Sequence, residues 1–125
     1  MTENQIASIV VHTCFEIHTQ LGPGLLESIY EEILYKELVK EGLDVKRQAL
    51  IPVIWKGEEL KSRFRADLIV EDKLIIELKS VEAIAPVHPK QLLTYLKVTG
   101  LKLCLLINFN EKLIKNGITR IVNNL

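Results

Sequence analysis

The chain has 125 residues, of which 48% are hydrophobic and 26% are charged, and its 16 basic residues balance its 16 acidic ones. This length fits one domain, so we expect residues 1–125 to fold as a single unit of ordinary globular composition. The zero net charge excludes a strongly basic nucleic-acid binder and an acidic tail protein, although a local basic patch is compatible with it.

Two helices are predicted at the start of the chain. Residues 6–21 place their apolar side chains at helical spacing, and Thr2 with Gln5 forms a capping-box pattern ahead of them. The segment Leu-Gly-Pro-Gly then breaks the first helix. A second helix is predicted from about residue 25 to residue 41, where a glycine follows.

The apolar period then changes to two, which is typical of β-strands. Strands are predicted over residues 45–55, 63–70 and 74–79. Pro52 indicates an edge strand or a bulge, because proline has no N–H to donate to a neighbouring strand. A turn at residues 55–58 joins the first two strands.

The remainder of the chain adds one helix and two strands. The helix is predicted to begin near Pro89 and to end at Gly100. Residues 101–109 are typical of a strand buried on both faces, and residues 117–122 predict a last short strand. The order is therefore ααβββαββ, which indicates an α/β fold with a central mixed sheet flanked by helices.

The cysteines and the termini indicate the compartment. Cys14 and Cys104 are far apart, and each lies in an apolar stretch, so we expect buried thiols in a reducing environment. The first residues lack the layout of a signal peptide, and no apolar run is long enough to cross a bilayer. The sequence predicts a cytoplasmic protein without membrane contact.

Two acids and a lysine interrupt the apolar strands between residues 63 and 79. Alternation places Glu77 and Lys79 on one face, about 6–7 Å apart along the strand. A three-residue loop at 71–73 would pair Asp67 with Glu77, whereas a two-residue turn would send the two acids to opposite faces. The turn lacks the Asn-Gly or Asp-Gly pair that favours two residues, and a bulge would shift the register either way. Both arrangements remain open.

Facing carboxylates suggest a metal site. Like charges directly opposite on neighbouring strands are destabilising, and a divalent cation between them removes that cost. A lysine beside the cation would orient or deprotonate a water molecule. The alternative is that Asp67, Glu77 and Lys79 belong to an ordinary solvated face, because Glu-x-Lys occurs by chance in charged proteins. This chain contains a second copy, Glu59 to Lys61, which follows a glycine turn and is interpreted as a solvated strand end.

Two predicted helices carry further candidates. Glu27 shares helical spacing with Tyr30, and an acid on an apolar stripe needs a partner, unless it is simply favoured by the helix N-terminus. Gln91 and Tyr95 are four residues apart and project together, which ordinary helix-surface packing would also explain.

Five segments in this order resemble one family of proteins: GLLESIY, RADLIVEDKLIIELKS, HPKQLLTYLKVTG, LLINF and GITRIV. They resemble the GxxExxY proteins of the PD-(D/E)XK nuclease superfamily, over about residues 5 to 123. The resemblance implies a restriction-endonuclease-like core, with a central mixed β-sheet flanked by helices.

The same resemblance implies the chemistry of the site. It implies that Asp67 and Glu77 bind Mg²⁺ or Mn²⁺, that the carbonyl of Leu78 completes the metal shell, and that Glu27 supports it through water. It implies that Lys79 acts on the attacking water. For Gln91 and Tyr95 it implies positioning of the substrate or the metal.

Two functions of different classes follow. The first is a Mg²⁺-dependent phosphodiesterase that acts on DNA. We expect it to work as a homo-oligomer or with a protein partner. Arg63 and Arg65 share the face of Asp67 by alternation and would contact phosphates. The second is a catalytically inactive interaction or nucleic-acid-binding module that keeps the fold. Zero net charge favours the second, whereas the complete set of acids and lysine favours the first.

Overall fold

The computed structural model describes residues 1–125 and contains three α-helices around a five-stranded sheet. The helices are α1 (Glu3–Leu21), α2 (Glu27–Lys40) and α3 (Val87–Thr99). The strands are β1 (Val45–Trp55), β2 (Glu58–Val70), β3 (Leu74–Lys79), β4 (Leu103–Asn108) and β5 (Ile118–Val122). A short 3-10 helix at Ile114–Asn116 was not expected from the sequence.

The strands lie in the order β1-β2-β3-β4-β5. Only β3 and β4 are parallel, and α3 makes the crossover between them, since parallel neighbours need a long connection. The other three neighbouring pairs are antiparallel. This arrangement confirms the predicted α/β class, the mixed sheet and the order of the elements.

The sheet separates two hydrophobic clusters. One cluster lies under α1 and α2 and includes Leu68 and Ile76. The other lies under α3 and includes Ile69 and Ile75. Neighbouring residues of one strand therefore enter opposite clusters, as strand alternation requires.

Three boundaries differ from the sequence expectation. The second helix begins at Glu27 instead of residue 25, because the Tyr30 hydroxyl holds the preceding turn by donating to the Gly22 carbonyl at 2.6 Å. The third helix begins two residues before Pro89, which a helix tolerates because N–H groups of the first turn have no intrahelical partner. The second strand starts at Glu58, so the second Glu-x-Lys pattern lies inside it.

The hairpin formed by β1 and β2 shows both features that Pro52 predicts. The strand β1 is at the edge of the sheet. The pairing also shifts register between Pro52 and Ile54. An edge position and a bulge are the two places where a sheet accommodates proline.

The turn between β2 and β3 resolves the open question of register. Leu68 pairs with Ile76 and Val70 pairs with Leu74, which leaves a three-residue loop. Glu71 and Asp72 adopt φ values of 54° and 52°, and these left-handed conformations close the turn without glycine. The register is therefore the one that brings Asp67 opposite Glu77.

Cys14 and Cys104 are buried and unbridged, as the sequence predicts. Burial raises the pKa of both thiols, so they stay protonated at neutral pH. None of the helices is both long enough and apolar enough to traverse a bilayer.

Candidate functional site

The alternation of side chains in β1 and β2 reverses at one level of their hairpin. Arg47 and its cross-strand partner Leu68 lie on the α2 side of the sheet. Ala49 and its partner Ala66, two residues further along, pack on the α3 side. Gln48 lies between these pairs with a φ of 47°, an uncommon left-handed conformation for a residue other than glycine. A strained residue in a strand is typical of a functional position.

Asp67 occupies the same level on β2, where β2 and β3 separate. The last regular pair of these strands is Leu68 with Ile76. Beyond it, the Asp67 carboxylate accepts a hydrogen bond from the Leu78 N–H at 2.8 Å, through Oδ2. The Asp67 N–H in turn donates to Glu77 Oε1 at 3.3 Å. The two acids therefore meet in the gap between the strands, which is the arrangement expected from a three-residue loop.

Glu77 is 9% exposed, and its environment disfavours its charge. Its pKa is raised to about 8, with burial as the largest cause and the neighbouring Asp67 carboxylate as the second. The Asp67 N–H and the Lys79 ammonium group act in the opposite direction on this pKa. A positive charge placed beside the two carboxylates would therefore favour the ionised form of Glu77.

The donor atoms around the gap are oxygens, which hard divalent cations prefer as ligands. The N–H and C=O of a strand residue point to the same side, so the Leu78 carbonyl faces Asp67 as its N–H does. Asp67, Leu78 and Glu27 line one pocket of about 170 Å³. No three His, Cys, Asp or Glu side chains converge as a ready metal cage. Glu77 is not among the residues that line this pocket, although its carboxylate accepts a hydrogen bond from the Asp67 N–H in the gap.

Lys79 ends β3 and is half-buried beside Glu77, whose pKa its ammonium group lowers. The Lys79 carbonyl accepts a hydrogen bond from the Phe109 N–H at 2.9 Å. Two residues after Lys79, the Val81 carbonyl accepts a hydrogen bond from the buried Asn108 side chain at 2.9 Å, and the Val81 N–H donates to the same side chain at 3.1 Å. These contacts with β4 and its following residue fix the end of the strand that presents Lys79.

Glu27 reaches the pocket by a different route from the expected one. It precedes the buried Tyr30 at helical spacing but is itself exposed, because it is the first residue of α2, so the predicted need for a partner in the core does not apply. Its carboxylate accepts from the Ser80 N–H at 3.2 Å, while the Ser80 hydroxyl donates to the Leu25 carbonyl at 2.6 Å. Glu27 thereby ties the start of α2 to the residue after Lys79.

The buried acid of α2 is Glu31, which the sequence reasoning missed. Glu31 is 6% exposed, and Arg47 donates two hydrogen bonds to its Oε2, at 3.2 and 3.0 Å. Gln48 Nε2 donates to Glu31 Oε1 at 2.7 Å and lies 3.4 Å from Asp67 Oδ1. The available signal was the position of Glu31 three residues before Leu34, on the apolar face of the helix.

Gln91 and Tyr95 lie apart from the acids. Both are exposed on α3, where they line a separate pocket of about 410 Å³ with Thr94 and Val98. The Tyr95 ring stacks on Phe64 with 4.2 Å between centroids. The structure does not bring this pair into contact with the acids, so their positioning role stays a prediction.

Comparison with known proteins identifies the relatives of this fold. The sequence profile described as the PD-(D/E)XK nuclease superfamily matches residues 4–121. The crystal structure of an alkaline exonuclease (LHK-Exo) from Laribacter hongkongensis superposes with a TM-score of 0.52 at 17% identity, covering 99% of this chain and 73% of that one. No curated protein sequence matches. The fold is restriction-endonuclease-like, while the narrower GxxExxY resemblance stays a prediction.

Proposed function

The chain belongs to the PD-(D/E)XK nuclease superfamily, and from this membership we propose that it is a Mg²⁺- or Mn²⁺-dependent nuclease that hydrolyses phosphodiester bonds in DNA. The supporting observation is the meeting of Asp67 and Glu77 in the gap beside the Leu78 carbonyl. We propose that residues 1–125 act as one GxxExxY-type domain. The buried, unbridged cysteines support a cytoplasmic location.

The carboxylates of Asp67 and Glu77 and the carbonyl of Leu78 would hold the cation, with Glu27 acting through water. When bound, the cation would stabilise negative charge that develops on the phosphate. Its charge would also offset the cost of a buried acid whose pKa is raised to about 8 beside a second acid. A pure scaffold has no use for this arrangement, because an uncompensated pair of acids lowers stability.

Lys79 would orient the attacking water and accept its proton. Its place at the fixed end of β3, beside Glu77, supports this role. General-base catalysis requires the base within hydrogen-bond reach of the water, directly or through one further water. The hydrogen bond from the Ser80 N–H to the Glu27 carboxylate would keep the end of β3, and with it Lys79, at a constant distance from the acids.

Gln48 would position Asp67. Its amide bridges the buried Glu31 and the Asp67 carboxylate, and Arg47 fixes Glu31 from the other side. Such supporting hydrogen bonds orient metal ligands and tune them. Gln91 and Tyr95 would contact substrate from α3, since both are exposed.

A cleavage assay with purified protein tests the proposal. Single-stranded, double-stranded and flapped DNA and RNA are incubated with Mg²⁺ or Mn²⁺, and the Lys79→Ala variant is run in parallel. Cleavage by the wild type that disappears in the variant supports the nuclease. Absence of cleavage on every substrate would instead favour the catalytically inactive binding module, which the zero net charge also allows.

A further inference from the structure

The β1–β2 hairpin is longer than the rest of the sheet needs. Its strands have 11 and 13 residues, whereas β3 has 6. One face of its outer half packs against α3 through residues such as Ile51 and Phe64. The opposite face is open, and Leu50 on it is 66% exposed. We call this open face the hairpin face; it comprises Leu50, Pro52, Ile54, Lys61, Arg63 and Arg65.

The β2 edge of the hairpin face is a row of cations. Arg63 and Arg65 flank the buried Phe64 and therefore lie about 6–7 Å apart along the open face, and the exposed Lys61 follows them toward the hairpin tip. Arg63 pairs with Glu59 at 2.9 Å. Lys61 and Arg65 are exposed and form no ion pair. Two cations of the row are therefore available to an anionic partner.

The β1 edge of the hairpin face is apolar. Leu50 pairs with Arg65 and Pro52 pairs with Arg63, so both arginines have an apolar neighbour across the ribbon. A single strand of nucleic acid presents phosphates along one edge and unpaired bases along the other, whereas a duplex hides its bases. We infer that the hairpin face binds single-stranded nucleic acid, with phosphates on the cations and bases on the apolar row.

The row leads to the proposed metal site. Arg65 is two residues before Asp67, and Gln48, opposite Asp67, lines the same pocket as that acid. A strand laid along the row would bring a phosphate to the carboxylates. This inference rests on the proposed function, because it names the substrate class of that site.

Binding without cleavage tests the inference. Fluorescence anisotropy of a labelled oligothymidylate is measured in EDTA with the wild type and with the Lys61→Ala/Arg65→Ala double variant. The double variant should bind more weakly. The slope of log affinity against log salt should fall by about 1.4, because each phosphate contact in a single strand contributes about 0.7.

The matched control is Lys97→Ala/Lys102→Ala. Lys97 and Lys102 are exposed and form no ion pair. Lys97 lies in the last turn of α3 and Lys102 directly precedes β4, whose start pairs with the end of β3 opposite to the one that carries Lys79. This variant also removes two positive charges, but from outside the hairpin face, so its affinity for the oligonucleotide should stay close to that of the wild type. Circular dichroism verifies that both double variants are folded.

Three results would overturn the inference. One is unchanged affinity in Lys61→Ala/Arg65→Ala, even if the protein cleaves DNA. Another is equal or tighter binding of a duplex with the same sensitivity to the two substitutions. The third is a dimer, seen by sedimentation velocity, that Leu50→Asp dissociates without altering binding of the oligonucleotide. A protein that binds as inferred but cleaves nothing would instead overturn the proposed function alone.

Discussion

The backbone N–H of Asp67 donates a 3.3 Å hydrogen bond to the Glu77 carboxylate across the gap between β2 and β3. Two acids that would otherwise repel each other are thus built into one site. Burial and the Asp67 carboxylate hold the pKa of Glu77 at about 8. The pair is the feature on which stability, metal binding and catalysis should all depend.

The stability of the metal-free protein should fall as pH rises. Because the folded-state pKa of Glu77 is raised from 4.5 to about 8, the folded state binds more protons than the unfolded chain between these values. The contribution of Glu77 to the free energy of unfolding is therefore fully present below its unfolded-state pKa and is lost as the pH rises through its folded-state pKa. Each pH unit between the two pKa values corresponds to about 1.4 kcal/mol, so the total loss should be on the order of a few kcal/mol. Urea unfolding in EDTA across this pH window measures the loss.

The Glu77→Gln variant provides the comparison for this pH dependence. Glutamine has a similar shape but does not titrate, so the loss of stability between the two pKa values should largely disappear. An identical pH profile in the variant and the wild type would show that another group titrates in this window.

Divalent cations should stabilise the wild type and should stabilise Asp67→Asn much less. Mg²⁺ or Mn²⁺ binds the folded state, where the acids are held together, better than the unfolded chain. The free energy of unfolding would rise by about 2.7 kcal/mol at a cation concentration 100 times the dissociation constant. The melting temperature with cation and with EDTA gives the measurement. In EDTA, Asp67→Asn should be at least as stable as the wild type, because a repulsive charge is removed.

Glu58→Gln serves as the control for the metal experiment, since Glu58 is exposed at the hairpin tip and far along β2 from Asp67. It should keep the full metal-induced rise. Equal rises in Asp67→Asn and Glu58→Gln would place the cation elsewhere.

Lys79→Ala should lose cleavage and keep folding and the metal-induced rise in melting temperature. Removal of a general base lowers the rate by a factor of roughly 10² to 10⁴, which takes most activities below detection. The single-turnover rate on the best substrate of the panel provides the test. Lys102 is an exposed lysine directly before β4, and Lys102→Ala should leave the rate unchanged. Cleavage that survives Lys79→Ala unaltered would come from a contaminating nuclease or a different base.

Gln48→Gly should be more stable than Gln48→Ala. Both substitutions remove the hydrogen bonds to Glu31 and Asp67, but only glycine accepts the φ of 47° without strain. The difference should be about 1–2 kcal/mol, the cost of a left-handed conformation for a residue with a β-carbon. Urea unfolding of the two variants measures it, and equal stabilities would mean that the strand relaxes to a regular conformation when the amide is lost.

Local patterns predict much of this fold because they report local geometry. The capping box of Thr2 and Gln5 is present as predicted, and the alternation from Leu74 to Leu78 is confirmed as a strand. The boundaries were less accurate where a distant contact decides them. The start of α2, for example, is set by the Tyr30 hydroxyl bonded to Gly22.

The order of the motifs was sufficient to predict the superfamily, since five matching segments in sequence order are far more specific than any one of them. The spacing of Glu77 and Lys79 was sufficient to predict one face for both, because side chains two residues apart on a regular strand point to the same side. Whether Asp67 joins them depends on the length of the turn, and both lengths were compatible with the residues.

Tertiary structure decided the remaining features, because they depend on contacts between distant segments. The register at Leu68 and Ile76 brings Asp67 to Glu77. Folding of α2 onto β1 pairs the buried Glu31 with Arg47, 16 residues away, although nothing adjacent to either residue indicates the partner. The raised pKa of Glu77 likewise comes from burial and from a charge on another strand, and neither can be inferred from its neighbours in the chain.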